Sequence, residues 1–464
     1  MPNDSFDVVV LGAGTGGYSA ALRAAQLDKR VALVERDERL GGTCLLRGCI
    51  PTKALLQSAA VMDHINRSDD WGIKASGEPD WSSVQSYKQK VVDKLVNGLT
   101  GLVKARKIEV VQGTGRLTSP TRVEVETDGG SRSLEAQHVV LGTGSFAKLL
   151  PGLEISEHVI TSDQALELDR IPSSAVVIGA GAVGLEFASV YRSFGADVTL
   201  VEALPRLAPL EDEDVSKELE RTFRKRGIQT RTGAKVQDVS EAGEGVTVTF
   251  EAGGKTETVE AEICLVAVGR GAVTEGLGLE DVGIELDRGF VRVNGQLRTS
   301  VERVWAVGDA AATPFQLAHV AFAEGLAVAG RIGGQEVPEI DYMGIPRVTY
   351  CNPEVASVGL TEEQARERGN ELDVEKYSLQ GLGKANILGE GGMCKVIAEK
   401  GGGPVLGVHM IGPHVTDLIA EAMLIVNWEA VPKEVAALIH PHPSLSEAIG
   451  EAHLSLAGQP LHSM

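Results

Sequence analysis

One pattern occurs twice in this chain and sharply limits what it can fold into. Phe6 to Leu11 is an apolar strand-like run, Gly12, Gly14 and Gly17 follow as G-x-G-x-x-G, and an alanine-rich helix pattern continues to about Leu27. A second strand, Val31 to Val34, then ends in Glu35. The second copy has the strand Ala175 to Ile178, then Gly179, Gly181 and Gly184, a helix pattern to Phe194, and the strand Asp197 to Val201 ending in Glu202. From third glycine to acid the distance is 18 residues in both copies, from 17 to 35 and from 184 to 202. A single glycine-rich turn means little, but strand, glycines, helix, strand and acid at this offset is the dinucleotide-binding fingerprint. The predicted fold class is therefore α/β, with two Rossmann-like dinucleotide-binding domains.

The spacing has a physical basis. The first glycine permits a tight turn, the second lets backbone approach a pyrophosphate, and the third lets helix pack on strand. The helix N-terminus then offers unpaired N–H groups and the positive end of its dipole to the anion. Glu35 and Glu202 sit where a carboxylate accepts ribose hydroxyls and repels a 2′-phosphate, so position 202 argues for NAD over NADP.

Further strands run into glycine or acid. His138 to Leu141 precedes Gly142-Thr143-Gly144-Ser145, Ile263 to Val268 precedes Gly269-Arg270, and Val301 to Val307 runs into Gly308-Asp309, followed by a helix around His319 to Ile332. From about Asp341 the pattern changes to irregular strands, an apolar helix around Thr416 to Trp428, and the segment HPHPSLSE. This predicts a separate C-terminal α+β domain. The expected division is 1–145, 146–270, 271–341 and 342–464.

Composition narrows the partners. Asp plus Glu number 64 against 44 Lys plus Arg, a net charge of −20, which repels nucleic acid and anionic membrane surfaces. No apolar run approaches a membrane span, and the N-terminus lacks the basic stretch of a signal peptide, so a cytoplasmic protein is expected. Five cysteines make no disulfide framework; only Cys44 and Cys49 lie together.

Those two cysteines bracket Leu-Leu-Arg-Gly, after Gly41-Gly42 and before Pro51-Thr52-Lys53, which opens a helix. They are either two buried thiols or a labile disulfide in a small loop, with the helix end lowering a thiol pKa. Cytosolic disulfides are usually catalytic, which favours the second reading and suggests electrons moving between nicotinamide, flavin and disulfide. Arg47 beside the pair either favours a thiolate or is simply solvated. Such chemistry needs a proton acceptor, and His440-Pro441-His442-Pro443-Ser444-Leu445-Ser446-Glu447 supplies one: His442 as base, with Glu447 a turn away to orient it.

GGTCLLRGCIPTKALL, together with GAGTGG, GTGS, GAGAVGLEFA, VGR, AVGDAA and HPHPSLSE in this order, resembles the pyridine nucleotide-disulfide oxidoreductase family over essentially the whole chain. The resemblance is strongest to its members that oxidise dihydrolipoyl groups. It implies FAD at Gly12, Gly14, Gly17, Glu35, Gly42, Thr43, Lys53, Gly115, Thr143, Gly144, Ser145, Asp309 and Ala318. It implies NAD at Gly179, Gly181, Gly184, Glu202, Val236 and Gly269, and no metal. Lys53 and Glu186 match the family's ion pair beside the reactive end of the flavin. Cys44 would be the thiol that meets substrate and Cys49 the one nearest the flavin. His442 and Glu447 would come from the other subunit, making a homodimer with shared sites. The implied partner is a lipoyl-bearing carrier protein of a 2-oxo acid dehydrogenase complex or glycine cleavage system. Leu46-Arg47, Thr52 and Cys351 depart from the pattern usual in these enzymes. The alternatives are an NADPH-dependent reductase of a small disulfide, similar to glutathione or mycothione reductase and opposed by Glu202, and a flavoprotein scaffold within a complex.

Overall fold

The computed structural model describes residues 4–462. The chain forms two compact units. The first draws on the chain up to Ala54, on Gln85–Lys148 and on Arg270–Tyr342; the second takes Leu55–Val84, Leu149–Gly269 and the chain from Met343 onward. Residues 271–341 thus fold with the first fingerprint, and the C-terminal segment with the second.

In the first unit a seven-stranded sheet has Ser5–Leu11 at its centre, flanked in parallel by Val31–Glu35 and by the long strand Gly130–Leu141. Glu109–Gln112 extends the parallel edge beyond Val31–Glu35. On the other side, Arg122–Thr127 and Thr114–Ser119 add an antiparallel hairpin, and Val304–Ala306 pairs in parallel with the end of Gly130–Leu141. That last strand is shorter than the expected Val301 to Val307. Helices cover both faces of a parallel sheet, so its strands read as continuous apolar runs: Val8, Val9, Val10 and Leu11 are all buried. The helix Thr15–Gln26 follows the first strand directly.

The second unit repeats the plan with a five-stranded, all-parallel sheet in the order Gln229–Arg231, Asp197–Val201, Ser174–Ile178, Ile263–Val266, Val159–Ile160. A three-stranded antiparallel sheet of Ala234–Ala242, Gly245–Ala252 and Lys255–Ala261 is inserted before the last crossover. The C-terminal part is an antiparallel five-stranded sheet, from Arg347–Thr349 at one edge to Leu372–Ser378 at the other, with helices Val415–Asn427 and Glu447–Leu456. Fully buried Lys395 is held there by Asp212, Asp214 and Glu362 at 2.7 to 2.8 Å. Burial opposes its charge, yet these carboxylates hold its pKa above the usual lysine value. Among the described residues no helix is long and apolar enough to cross a membrane.

Candidate active site

The first cradle is built from backbone. Gly12 has φ +93°, and a Cβ there would lie 2.3 Å from the Gly142 carbonyl oxygen. A Cβ on Gly17 would lie 1.9 Å from the Gly12 oxygen, so only glycine lets the helix Thr15–Gln26 lie against the turn. Gly42, with φ +58°, brings its backbone onto Gly14, where a Cβ would stand 2.5 Å from the Gly14 Cα. No side chain caps the helix N-terminus, whose N–H groups stay available to an anion.

Glu35 is buried, and its carboxylate accepts from the Ala13 N–H at 2.6 Å and the Asp37 N–H at 2.9 Å. Burial raises its pKa, against the pull of the Ala13 and Arg36 N–H groups and the charges of Arg36 and Arg47. Two backbone donors leave lone pairs on both oxygens for ribose hydroxyls, so the residues present fit an adenine dinucleotide.

Around the open end of this cradle lie Thr43, Thr143, Gly144, Ser145, Asp309 and Ala318. Thr143 Oγ1 donates to the Val273 oxygen at 2.7 Å, Ser145 Oγ to Asp309, and Gly144 sits at φ +74°. Asp309 occupies the turn Gly308–Ala310, and Ala318 opens the helix Ala318–Ile332. Gly115 lies deeper, its α-carbon under Leu11, where a Cβ would come within 2.5 Å of that side chain.

Arg270 organises this cluster and was not singled out as a site residue, although VGR contains it. Its Nε donates to Ser145 Oγ at 2.7 Å and its Nη2 to the Ser145 oxygen at 2.9 Å, with Thr43 Oγ1 at 3.5 Å and Asp309 at 3.8 Å. Two further partners, buried Glu324 and half-buried Tyr18, carry no local sequence signal. Glu324 accepts from the Gly308 N–H at 2.6 Å and the Tyr342 hydroxyl at 2.8 Å, fixing the turn that carries Asp309. Tyr18 packs edge-on against Phe322 and faces both cysteines; burial, then their proximity, pushes its hydroxyl up to about 12.

The cysteine segment departs from the expected small loop. Gly42–Arg47 and Cys49–Asn66 are consecutive helices broken at Gly48, so the helix opens at Cys49 rather than at Pro51. A Cβ at Gly48 would meet the Thr43 oxygen at 2.9 Å, which explains the glycine at the break. Cys44 and Cys49 are free thiols here and hydrogen-bond to each other. That bond first, and burial second, raise the Cys44 pKa, with Lys53 pulling the other way. In the reduced pair, the shared proton and burial thus favour the protonated Cys44 thiol. Lys53 follows on the Cys49–Asn66 helix, one turn after Cys49. Arg47 is not merely solvated, for it pairs with Asp37.

The second cradle repeats the first. Gly179 has φ +104°, with a Cβ position 2.4 Å from the Ala267 oxygen, and a Cβ on Gly184 would lie 1.9 Å from the Gly179 oxygen. Gly181 faces open space and precedes the uncapped helix Ala182–Ser193. Glu202 accepts from the Ala180 N–H at 2.6 Å and the Leu204 N–H at 2.8 Å. A cleft of about 750 Å³ is lined by Gly179, Gly181, Glu202, Val236 and Gly269 among others, a fit for a second dinucleotide. Glu186, buried on the helix Ala182–Ser193, accepts from the Tyr350 N–H at 3.0 Å.

In the C-terminal part of the same unit, exposed His442 donates through Nδ1 to Glu447 at 2.7 Å, which turns Nε2 outward. Glu447 also accepts from the Ser444 N–H at 2.8 Å. Burial resists its ionisation, but these bonds hold its carboxyl below the usual range. His440 makes a parallel pair with Glu421 at 2.7 Å, which raises its pKa against burial. Among the described residues no cluster of three or more His, Cys, Asp or Glu is placed to hold a metal.

Comparison with known proteins agrees with this arrangement. Residues 6–325 match the family described as pyridine nucleotide-disulphide oxidoreductase, and residues 345–453 match its dimerisation domain. The chain is 43% identical over 471 residues to a dihydrolipoyl dehydrogenase of Bacillus subtilis, covering 98% of this chain and 99% of that one. It is 40% identical over 481 residues to a dihydrolipoyl dehydrogenase of Rhizobium etli, covering 99% and 100%. Among solved structures, LpdA of Mycobacterium tuberculosis superposes with a TM-score of 0.89 at 27% identity, over 97% of this chain and 99% of that one. With two glycine cradles, two adjacent thiols and a matching C-terminal domain, the chain belongs to the pyridine nucleotide-disulphide oxidoreductase family.

Proposed function

We propose that this enzyme oxidises protein-bound dihydrolipoyl groups with NAD, using FAD and a redox-active Cys44–Cys49 pair. The observation that carries the reading is the joining, in one chain, of two carboxylate-ended nucleotide cradles with two hydrogen-bonded thiols beside the first. The full-length similarity to dihydrolipoyl dehydrogenases supports it. Gly12, Gly14, Gly17, Glu35 and the Arg270 cluster would hold FAD; Gly179, Gly181, Glu202, Val236 and Gly269 would hold NAD. Bound FAD and NAD supply the two-electron path by which the cysteines are reoxidised.

The thiol chemistry belongs to the chain. A dihydrolipoyl thiolate attacks Cys44 Sγ of the oxidised pair, breaking the Cys44–Cys49 bond and releasing the Cys49 thiolate. The second substrate thiol then attacks its own mixed-disulfide sulfur, closing the lipoyl ring and releasing Cys44. The substrate loses two electrons and the cysteine pair gains them. His442, oriented by Glu447, takes the substrate proton through Nε2. Lys53 would supply positive charge to stabilise the reduced ring of bound FAD. The assembly is a homodimer in which His442 of the partner subunit serves each cysteine pair, and the lipoyl donor is a carrier protein of a 2-oxo acid dehydrogenase complex or glycine cleavage system. The segments 1–145, 146–270, 271–341 and 342–464 would then serve as the FAD, NAD, central and dimerisation regions, in a cytoplasmic enzyme.

The test is the steady-state rate of NAD reduction by dihydrolipoamide, run beside NADP and beside NADPH oxidation by small disulfides. Fast NAD reduction is expected, with Cys44→Ser abolishing it while flavin is retained. A preference for NADPH with a small disulfide would overturn both the substrate and the Glu202 reading.

A further inference from the structure

Arg47 ends the short helix Gly42–Arg47 that carries Cys44, yet its guanidinium pairs with Asp37, two residues beyond the ribose-facing Glu35. Both side chains are partly shielded, 37% and 24% exposed, which sets this pair apart from a solvated surface contact. The Asp37 loop is itself fixed. The Asp37 N–H donates to Glu35 Oε1 at 2.9 Å, and Gln112 Nε2 donates to the main-chain oxygens of Glu35 at 2.9 Å and Asp37 at 2.7 Å. Ala13 closes the loop at both ends, donating to Glu35 at 2.6 Å and accepting from the Gly41 N–H at 3.0 Å. Arg36, the other cation near Asp37, stands off at 3.8 Å and is mostly exposed.

We infer that Arg47 is a positioning residue: its ion pair with Asp37 clamps the Cys44-bearing helix to the loop that presents Glu35, so that the dinucleotide's ribose and the reactive thiol share one rigid frame. The charge of Arg47 also favours the ionised form of Glu35, the form that accepts ribose hydroxyls. This inference rests on the reading of the first cradle as the FAD site.

The experiment uses the purified holoenzyme and two readouts: the first-order rate of FAD release, followed by free-flavin fluorescence in mild chaotrope, and the alkylation rate of Cys44 after reduction. Arg47→Met and Asp37→Asn are each expected to speed both by about threefold, the scale of a partly exposed ion pair. The double variant should be no faster than either single one, and the exchange of charges, Arg47→Asp with Asp37→Arg, should return both rates toward wild type. Unchanged rates in the single variants, or effects that multiply in the double variant, overturn the clamp. A wild-type protein that binds no flavin overturns the functional reading and the clamp together, whereas a flavin-loaded, NAD-reducing wild type with unchanged variants overturns the clamp alone.

Discussion

At the scale of single residues, this protein prepares its polar groups before any substrate arrives. Glu35 and Glu202 are held by two backbone N–H groups each, so neither carboxylate has to find its orientation when a ribose binds. His442 is held by Glu447 in the tautomer that leaves Nε2 as the acceptor. A glutamine at 442 cannot take a proton, so His442→Gln is expected to lower kcat for dihydrolipoamide oxidation by about a hundredfold or more, with flavin content unchanged. Stopped-flow reduction by dihydrolipoamide checks this; a near-normal rate would remove His442 from the proton path. The residues of these roles were legible because each lies in a short motif. Arg270, Glu324 and Tyr18 were not, because their partners are far away in the chain and nothing local marks them.

At the scale of elements, the two strand-glycine-helix units show which glycines are structural and which face a ligand. A Cβ on Gly184 would run into the Gly179 oxygen, while one on Gly181 would face open space. Gly184→Ala must push helix off strand, an overpacking cost of about 1 to 3 kcal/mol, and should lower the thermal midpoint. Gly181→Ala should leave that midpoint unchanged and raise KM for NAD several-fold, because its new methyl occupies the path of the pyrophosphate. Equal effects from the two substitutions would contradict this division. Element boundaries in the fingerprints follow the expected ones closely, since strand, turn and helix there are set by local spacing. The cysteine segment does not, because the six-residue helix Gly42–Arg47, broken from Cys49–Asn66 at Gly48, is too short to persist by its own propensity and is held by the close approach of Gly42 to Gly14 in the first cradle.

At the scale of the whole molecule, buried ionisable groups set the conditions under which the fold persists. His453 on the helix Glu447–Leu456 is fully buried, bonded only through Nδ1 to the Ile449 oxygen at 2.6 Å, with no partner for Nε2 among the described residues. Burial pushes its pKa down to about 4. The unfolded chain binds a proton here near pH 6.5 and the folded one does not, so stability falls as pH drops from about 6.5 toward 4, by up to about 3 kcal/mol. Thermal midpoints of wild type and His453→Leu between pH 7 and 5 check the sign: wild type should lose stability over this window and the variant should lose less. Parallel curves would assign the acid sensitivity to other groups. The sequence by itself determined the two nucleotide folds and marked the adjacent cysteines and the candidate base, because each is written in contiguous residues whose spacing obeys backbone geometry. Only the tertiary structure decided that Arg270 gathers Ser145, Thr43 and Asp309, and that Arg47 turns to Asp37. Those outcomes depend on which segments pack together, and a charge finds its partner by distance in space rather than by position along the chain.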